Sequence, residues 1–403
     1  VRMTEVKDDL VRNNKEINWV PATIGTGRFG DWLENIQDWS ISRDRYWGTP
    51  LNIWECEGCG HKISVGSRKE LAELSGDDSA LGVELHRPYI DKYLIKCPEC
   101  GKDCRRVPEV IDCWFDSGAM PFAELHYPFE NKELFEEQFP ASFISEAVDQ
   151  TRGWFYSLHA LGTVLFNKPA FKNVVVLGLV LDENGEKMSK SKGNAVDPME
   201  ALKEYGADAI RWYFYTASAP WLPSRFSGRA VSEGARKYLS TLWNTYSFFV
   251  LYANIDGFDA SNYIKYDGSA EKDAFGKALL SALKANTSLM DKWILSRMNT
   301  MIKNTDEALD QYRIPDAGKA LYSFVEDLSN WYVRRSRERF WASGLDDDKV
   351  SAYLTLYACL VSVARATAPM TPFMAEAIYR NLVCTSYEAA PVSVHLSDYP
   401  VYD

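Results

Sequence analysis

Two kinds of hydrophobic pattern divide the chain. From residue 111 to 185, short apolar runs alternate with helical stretches, which is typical of a parallel sheet. Beyond about residue 228, apolar residues recur at helical spacing without a strand pattern. These helical segments are 230–252, 288–311, 316–341, 348–368 and 373–383. The pattern therefore predicts an α/β region followed by an all-α bundle.

Local signals refine this division. Residues 1–50 mix short apolar stretches with Gly and Pro, and residues 51–110 form a cysteine-bounded insertion with a helix around 67–74. Pro198 is suited to the first position of a helix that ends before Gly206. We place domain boundaries after residues 50, 110 and 227.

Composition limits the class of protein. The 403 residues suggest two or three domains, and 46% hydrophobic with 25% charged residues is ordinary for a soluble globular protein. No apolar run looks long enough to span a bilayer and no signal peptide is apparent, so we expect a cytoplasmic protein without a membrane partner. The net charge of −11 argues against indiscriminate nucleic-acid binding but leaves room for a local basic surface.

Five of the eight cysteines fall between positions 56 and 104, which favours a metal site over disulfides. Two Cys-x-x-Cys-Gly turns can each present two thiolates to one point, which predicts a tetrahedral, structural Zn²⁺ site. Either His61 or Cys104 could replace one ligand, and the plain alternative is a group of reduced structural cysteines. The predicted ligands are Cys56, Cys59, Cys97 and Cys100.

A lysine-rich run follows the apolar strand pattern 173–181. Residues 187–193 hold three lysines, two serines and a glycine, and such cations and hydroxyls on a loop can stabilise a triphosphate as charge develops on it. A solvated lysine-rich turn is the simpler alternative.

A second polar run, 145–155, follows the apolar residues Phe143 and Ile144. Its carboxylates at a strand end could accept hydrogen bonds from an ammonium group or from ribose hydroxyls. The alternative is a capped helix with solvent-facing polar residues, beginning near Asp149.

Taken together, these sequence motifs resemble those of a known family. Lys-Met-Ser-Lys-Ser at 187–191 matches the second nucleotide-binding motif of the class I aminoacyl-tRNA synthetases. Segments 38–50, 112–118 and 146–154 have the order and spacing of the class Ia members for branched aliphatic amino acids. The variants at 45–50 and 149–154 resemble the isoleucine-specific members most. Residues 327–337 resemble the anticodon-binding bundle, so the resemblance covers nearly the whole chain.

The resemblance implies a fold and an activity. The fold would be the second half of a Rossmann-type catalytic domain (1–50 and 111–227) with a zinc-knuckle insertion (51–110), then a helical anticodon-binding bundle (228–403). The activity would be a ligase reaction that joins isoleucine to ATP as the adenylate and then transfers it to the isoleucine tRNA. The resemblance implies ATP as a substrate and Mg²⁺ and Zn²⁺ as bound metal ions, and it implies a monomer.

The resemblance also implies residue roles. Lys190 would stabilise the triphosphate, with Lys187 and Ser189 supporting the loop. The adenylate and amino acid would be bound by Glu146, Asp149, Gln150, Trp47 and Trp154.

On the bundle, Arg334 and Arg335 would contact tRNA, while the interleaved rings at 331, 332, 340 and 341 are expected to be mostly packing. The alternative is that these arginines pair with nearby acids and only stabilise the bundle.

The chain also departs from the family. The His-Ile-Gly-His motif does not occur in it, and neither an editing domain nor a C-terminal extension is recognisable. We therefore expect a piece of a larger enzyme that is inactive by itself. A non-catalytic tRNA-binding module, another nucleotidyl-transferring enzyme on the same fold and the valine-specific enzyme are the alternatives.

Overall fold

A buried β-branched run forms the centre of the first of two compact units, Val1–Leu177. Strand β9 (Asn173–Leu177) lies between β1 (Asn18–Val20) and β8 (Ile144–Ala147), and all three are parallel. Helix α6 (Trp154–Phe166) makes the crossover from β8 to β9, as parallel strands require. The sequence pattern predicted this parallel sheet, and the structure confirms it.

The computed structural model describes residues 1–269, 271–283 and 288–402, without the side chain of Lys190. Leu10, Phe29, Phe155 and Phe171 pack with the β9 valines into the core of the first unit. The other helices of the first unit are α1 (Lys7–Asn14), α2 (Gly30–Glu34), α3 (Arg68–Ser75), α4 (Cys113–Ala123) and α5 (Lys132–Gln138).

Helices α4 and α6 pack at very short range. A Cβ at Gly118 would lie only 2.8 Å from the backbone carbonyl carbon of Ser157, so only glycine fits this position without a shift. Asp112 caps α4, because its Oδ1 accepts the backbone N–H of Trp114 at 3.2 Å. The 112–118 segment is therefore shaped by one cap and one close approach between helices.

The insertion is a small antiparallel sheet of order β4-β3-β6-β5. Its strands are β3 (Ile53–Cys56), β4 (Lys62–Ser64), β5 (Ile95–Lys96) and β6 (Asp103–Arg106). Helix α3 closes one side at the place where a helix around 67–74 was predicted, and Ser67 caps it. The two ends of the insertion are paired. Strand β2 (Ser42–Arg43) pairs with β7 (Val110–Ile111), and the Leu51 N–H donates to the Glu109 carbonyl at 3.2 Å.

The second unit, Gly178–Asp403, begins with the short parallel pair β10 (Val180–Leu181) and β11 (Ser224–Arg225). After β11, the described residues contain helices and loops but no strand, as predicted. The helices are α7 (Pro198–Tyr205), α8 (Ala207–Thr216), α9 (Gly228–Lys237), α10 (Leu239–Asp256), α11 (Ala274–Ala282), α12 (Leu289–Asp310), α13 (Ile314–Glu326), α14 (Arg334–Trp341), α15 (Asp347–Thr367) and α16 (Pro372–Tyr379).

Helix α15 is the core helix of the bundle. By length and composition alone it could cross a membrane, which corrects the expectation that no apolar run is long enough. However, 94% of its apolar window is buried inside the protein, as in the central helix of a bundle. Its buried charges are paired: Lys349 with Asp256 and Arg365 with Asp273, each at 2.6 Å.

Asp291 is a buried carboxylate in the middle of this bundle. Its two oxygens accept hydrogen bonds from Arg339 at 2.7 and 2.9 Å, and one also accepts the Tyr332 hydroxyl at 2.6 Å. Burial would raise the pKa of Asp291, but the hydrogen bonds from Arg339 and Tyr332 outweigh it and lower the pKa. The carboxylate therefore stays charged and ties α12 to α14.

Candidate functional site

The lysine-rich run forms a closed loop at the start of the second unit. The chain reverses direction after β10, so that Leu181 and Lys187 form an antiparallel β-bridge. Asp182 accepts the backbone N–H groups of Asn184 at 3.0 Å and Glu186 at 2.8 Å with the same carboxylate oxygen. These hydrogen bonds, with that of Asn194 as the largest cause, lower the pKa of Asp182.

Asn194 closes the other end of this loop. Its Nδ2 donates to Asp182 at 2.8 Å, and its Oδ1 accepts the backbone N–H of Ser189 at 2.9 Å. Ser189 also accepts the Lys192 N–H with its carbonyl at 3.2 Å. The side chain of Lys190, predicted to act on the triphosphate, lies outside the described part of the structure, although its backbone forms a 3₁₀ turn with Lys192.

The polar run of the first unit lies at the carboxyl end of β8. Glu146 and Asp149 are exposed there, with Asp149 in a 3₁₀ turn, Val148–Arg152, that leads into α6. Gln150 has local partners: its Oε1 accepts the Trp154 N–H at 2.9 Å, and its Nε2 donates to Asp149 at 3.3 Å. The helix predicted to begin near Asp149 is a 3₁₀ turn there and becomes α-helical only at Trp154, where Gln150 supplies an acceptor for the first N–H group.

Two tryptophans, Trp154 and Trp114, lie beside this turn. The Trp154 indole N–H donates to the Ser117 carbonyl at 3.2 Å, and a Cβ at Gly153 would lie 2.8 Å from the Trp114 ring. Trp114, which the sequence analysis did not single out, is 42% exposed. Trp47 has a different partner, because its ring stacks on His86 with centroids 4.5 Å apart. In the sequence, the signal that could have identified Trp114 was an aromatic residue two positions after the capping Asp112.

Two sequence motifs meet at Asp112. This carboxylate is 3% exposed and accepts the Trp39 indole N–H at 3.1 Å together with the guanidinium of Arg43. One helical turn later, Asp116 accepts the Thr49 hydroxyl at 2.9 Å. The 38–50 segment is therefore held against the start of α4 by hydrogen bonds, which explains why both segments carry fixed polar residues.

The four predicted cysteine ligands converge. Their sulfurs all lie within 4.8 Å of one another, with 3.4 Å from Cys56 to Cys100 and 3.6 Å from Cys59 to Cys97. A tetrahedral zinc with Zn–S bonds of about 2.3 Å would place its sulfurs ~3.8 Å apart. Backbone N–H groups of the turn, those of Cys59 and Gly58, lower the pKa of Cys56 to about 6, which favours its thiolate.

The two knuckles are built alike. The glycine after each pair, Gly60 and Gly101, has a φ of 73°, which the turn needs and glycine adopts without strain. Cys104 is buried opposite Cys56 on the neighbouring strand, and burial raises the pKa of its thiol to about 11. Neither Cys104 nor His61 belongs to the group of four, so the geometry favours the four predicted ligands over those alternatives.

On the bundle, the arginines of α14 differ in their surroundings. Arg334 and Arg335 are exposed, and the described residues place no carboxylate within ion-pair distance of either. Arg335 lies 4.7 Å from the ring centroid of Trp331, which is itself 52% exposed. Arg339 instead pairs with Asp291 and Asp348, so the structural alternative applies to that arginine.

The four rings at positions 331, 332, 340 and 341 are divided evenly between the core and the surface of the bundle. Tyr332 and Phe340 are buried in the bundle, whereas Trp331 and Trp341 are more than half exposed. Leu289, Met290 and Trp293 extend the exposed patch around Trp331. The surface thus offers an apolar ring face next to unpaired guanidinium groups.

Two family models match the chain. The model "tRNA synthetases class I (I, L, M and V)" matches residues 1–221, and "Anticodon-binding domain of tRNA ligase" matches residues 291–403. The first covers more than half of the chain. The combination of a class I catalytic domain with an anticodon-binding domain, predicted from the sequence, is confirmed.

Individual relatives agree with these models. The chain is similar to the "Isoleucine--tRNA ligase" of Clostridium novyi (strain NT), with 57% identity over 403 residues, and to that of Thermus thermophilus, with 50% over 404 residues. Each match covers 100% of this chain and 37% of the relative, so the chain spans little more than a third of their length.

A solved structure supports the fold. Mycobacterium tuberculosis methionyl-tRNA synthetase in complex with methionyl-adenylate has a TM-score of 0.65 at 16% identity, over 97% of this chain and 67% of that one. Fold, family models and close relatives agree: the chain belongs to the class I tRNA synthetases of the isoleucine, leucine, methionine and valine group.

Proposed function

We propose that this chain is part of an isoleucine–tRNA ligase. The observation that carries the proposal is the 57% identity to a ligase of that name across all 403 residues, without a long gap. The enzyme would take isoleucine, ATP with Mg²⁺ and the isoleucine tRNA, as a monomer in the cytoplasm. Isoleucine would displace pyrophosphate from ATP to form the adenylate, and the acyl group would then pass to the tRNA.

In this proposal the loop of the second unit acts on the phosphates of ATP. Lys190 would offset the negative charge that develops on the triphosphate, and Lys187 and Ser189 would contribute further donors. Mg²⁺ would neutralise phosphate charge alongside them. The contacts of Ser189 with Asn194 support this role, because preorganised donors stabilise a transition state better than mobile ones.

The carboxyl end of β8 would bind the adenylate. Glu146 and Asp149 are exposed acceptors at that strand end, suited to an ammonium group or ribose hydroxyls. Gln150 would act mainly by fixing the turn, since both ends of its amide have local partners. Trp154 would line the amino-acid pocket together with Trp114, while Trp47, also predicted there, stacks on His86.

We further propose that the four cysteines hold one Zn²⁺ between the two hairpins. Four thiolates with near-tetrahedral spacing suit this metal, and a site without an open position is structural. The metal would supply cross-linking between the hairpins of the insertion and take no part in the reaction.

The test replaces the matching segment of the Clostridium novyi relative with this chain. We expect the chimera to catalyse isoleucine-dependent ATP–pyrophosphate exchange, and Lys190→Ala to lower kcat far more than it changes the isoleucine KM. Valine should be activated about 100-fold less efficiently, because one methylene separates the two side chains. A chimera that folds yet prefers valine, or shows no exchange, would contradict the proposal.

The bundle would bind the tRNA. Exposed guanidinium groups bind phosphates and stack on unpaired bases, and aromatic faces accept splayed bases. Replacing both Arg334 and Arg335 with alanine in the chimera should weaken tRNA binding and aminoacylation while leaving exchange unchanged. The control replaces two other exposed cations of the same unit, Lys265 and Arg380. If the arginine variant binds tRNA as tightly as the unmodified chimera but melts at a lower temperature, these arginines only stabilise the bundle.

A further inference from the structure

The lysine-rich loop is joined to its own base by one side-chain pair. Residues 182 and 194 flank the loop in sequence, and Asn194 Nδ2 donates to the Asp182 carboxylate at 2.8 Å. The same amide accepts the Ser189 N–H at 2.9 Å with its oxygen, and it contacts the Lys187 carbonyl at 3.4 Å with its nitrogen. The Asn194 side chain therefore contacts Asp182 at the base of the loop, Lys187 on its side and Ser189 at its apex.

The polarity of these contacts is fixed by chemistry. The Ser189 backbone nitrogen can only donate, so the oxygen of the Asn194 amide must face it. The Asp182 carboxylate can only accept, so the NH₂ group must face that side. Neither an exchange of the amide groups nor a carboxylate at position 194 satisfies both partners, and only an amide fits.

Asp182 in turn sets the shape of the base. One of its oxygens accepts the N–H groups of Asn184 and Glu186, and the other accepts Asn194. Its own backbone N–H donates to the Glu186 carbonyl at 2.9 Å. Its carbonyl also accepts the Gly185 N–H at 3.0 Å, so five hydrogen bonds at a single residue hold the turn that leads into the lysines.

The other polar contacts that the structure describes for side chains of the loop do not join Ser189 to the base. Lys192 and Glu186 form an exposed ion pair at 3.1 Å, and such pairs contribute little order in water. The Ser189 and Ser191 hydroxyls lie 3.3 Å apart at the apex and do not reach the base. Met188 packs against the hydrophobic core of the second unit, but among the described polar side chains the pair of residues 182 and 194 is the one that joins the Ser189 backbone to the strand end.

We propose that Asn194 and Asp182 are positioning residues that hold the lysine-rich loop in the shape needed for activation of the amino acid. The inference rests on the proposed function of that loop in binding ATP phosphates. Ser189 immediately precedes Lys190 in the chain, so anchoring its backbone restricts where the next side chain can reach. Neither positioning residue needs to touch the substrate, and their effect on the rate passes through the loop.

The pair can be tested by exchanging its members. Asn194→Asp places two carboxylates face to face, and Asp182→Asn leaves an amide where two N–H groups and an NH₂ group require an acceptor. The double variant Asp182→Asn with Asn194→Asp restores complementarity within the pair, since the new amide can donate to the new carboxylate and still accept the backbone N–H groups. It gives up only the long contact of Asn194 with the Lys187 carbonyl at 3.4 Å. Asn184→Ala is the control, because only the backbone of that residue donates to Asp182.

In the chimera, each single variant should lower kcat for pyrophosphate exchange by about 10- to 100-fold with an unchanged isoleucine KM, because small misplacements of reacting groups have effects of that size. The double variant should recover to within about threefold of the unmodified chimera. Single variants with unchanged kcat, or a double variant no better than the worse single, would overturn the inference. Equal loss in the Asn184→Ala control would overturn it as well.

A second measurement separates this inference from the proposed function. Hydrogen exchange of the 182–194 amides in the 403-residue chain should accelerate in both single variants and return to normal in the double variant. That result in an inactive chimera would refute the function but retain the anchoring of the loop. Unchanged exchange in the single variants would refute the anchoring, whatever the activity.

Discussion

His159 is a fully buried histidine that should make the first unit sensitive to acid. It lies on α6, where its Nε2 contacts the Leu10 carbonyl at 2.9 Å and the Phe29 ring packs against it with centroids 5.6 Å apart. The other ring nitrogen, Nδ1, has no hydrogen-bond partner among the described residues. The imidazole is therefore held neutral, with its proton on Nε2.

The size of the effect follows from the pKa shift. Burial lowers the pKa of His159 from 6.5 to about 4, opposed in part by the hydrogen bond to Leu10. Between these values the unfolded chain binds a proton that the folded protein does not, so stability is full above pH 6.5 and falls as the pH approaches 4. The shift of ~2.5 units corresponds to about 3.4 kcal/mol in total, of which about 2 kcal/mol is lost by pH 5.

The assay compares the wild type with His159→Gln, which keeps a donor for the Leu10 carbonyl but cannot be protonated. Hydrogen exchange of the α6 amides reports the opening free energy of this unit, and we expect the wild type to lose about 2 kcal/mol more than the variant between pH 7 and pH 5. His126→Gln, at an exposed position, is the control and should follow the wild type. Equal pH dependence in wild type and His159→Gln, or an NMR titration of His159 near pH 6.5, would refute the reasoning.

Three further predictions concern the metal and the packing. Elemental analysis should give about one zinc per chain, and its removal by a chelator should unfold the insertion; less than a tenth of that zinc in folded protein would exclude the site. Asp291→Ala should lower the free energy of unfolding of the bundle by ~3–5 kcal/mol because it removes the buried partner of Arg339 and leaves that guanidinium only the exposed Asp348. The exposed Asp348→Ala should cost less than about 1 kcal/mol, and equal losses would contradict this. Gly118→Ala should cost about 1–3 kcal/mol in chemical denaturation, whereas Gly82→Ala, with open space around it, should cost little; a neutral Gly118→Ala would show that α4 and α6 can separate.

Helical periodicity predicted the long helices of the bundle, but it missed α11 and the interruptions within the predicted segments. The segment predicted as one helix, 316–341, consists of α13, a π-helical segment (Asp327–Val333) and α14. Over one or two turns, α and π geometry expose nearly the same hydrophobic face, so the pattern does not distinguish them. The difference depends on tertiary contacts, such as the bond from Tyr332 to the buried Asp291.

The candidate site shows the same limit. Cysteine pairs three residues apart are a local signal, and their convergence was predictable because each turn presents both thiolates on one side. The pairing of Arg339 with Asp291 joins residues 48 apart, and the contact of Trp114 with Gly153 depends on how two helices pack. The order of charged residues along one helix therefore could not show which arginines are exposed and which form ion pairs inside the bundle.

The attachment of the insertion has a wider consequence. Its entry and exit run side by side, with Pro50 bridged to Val110 and Leu51 hydrogen-bonded to Glu109. Because the two ends are neighbours, the segment between them can grow, shrink or be exchanged without altering the distance that the surrounding chain has to span. A foreign domain with adjacent termini could thus be grafted at this junction in place of the cysteine-rich insertion without displacing the parallel sheet.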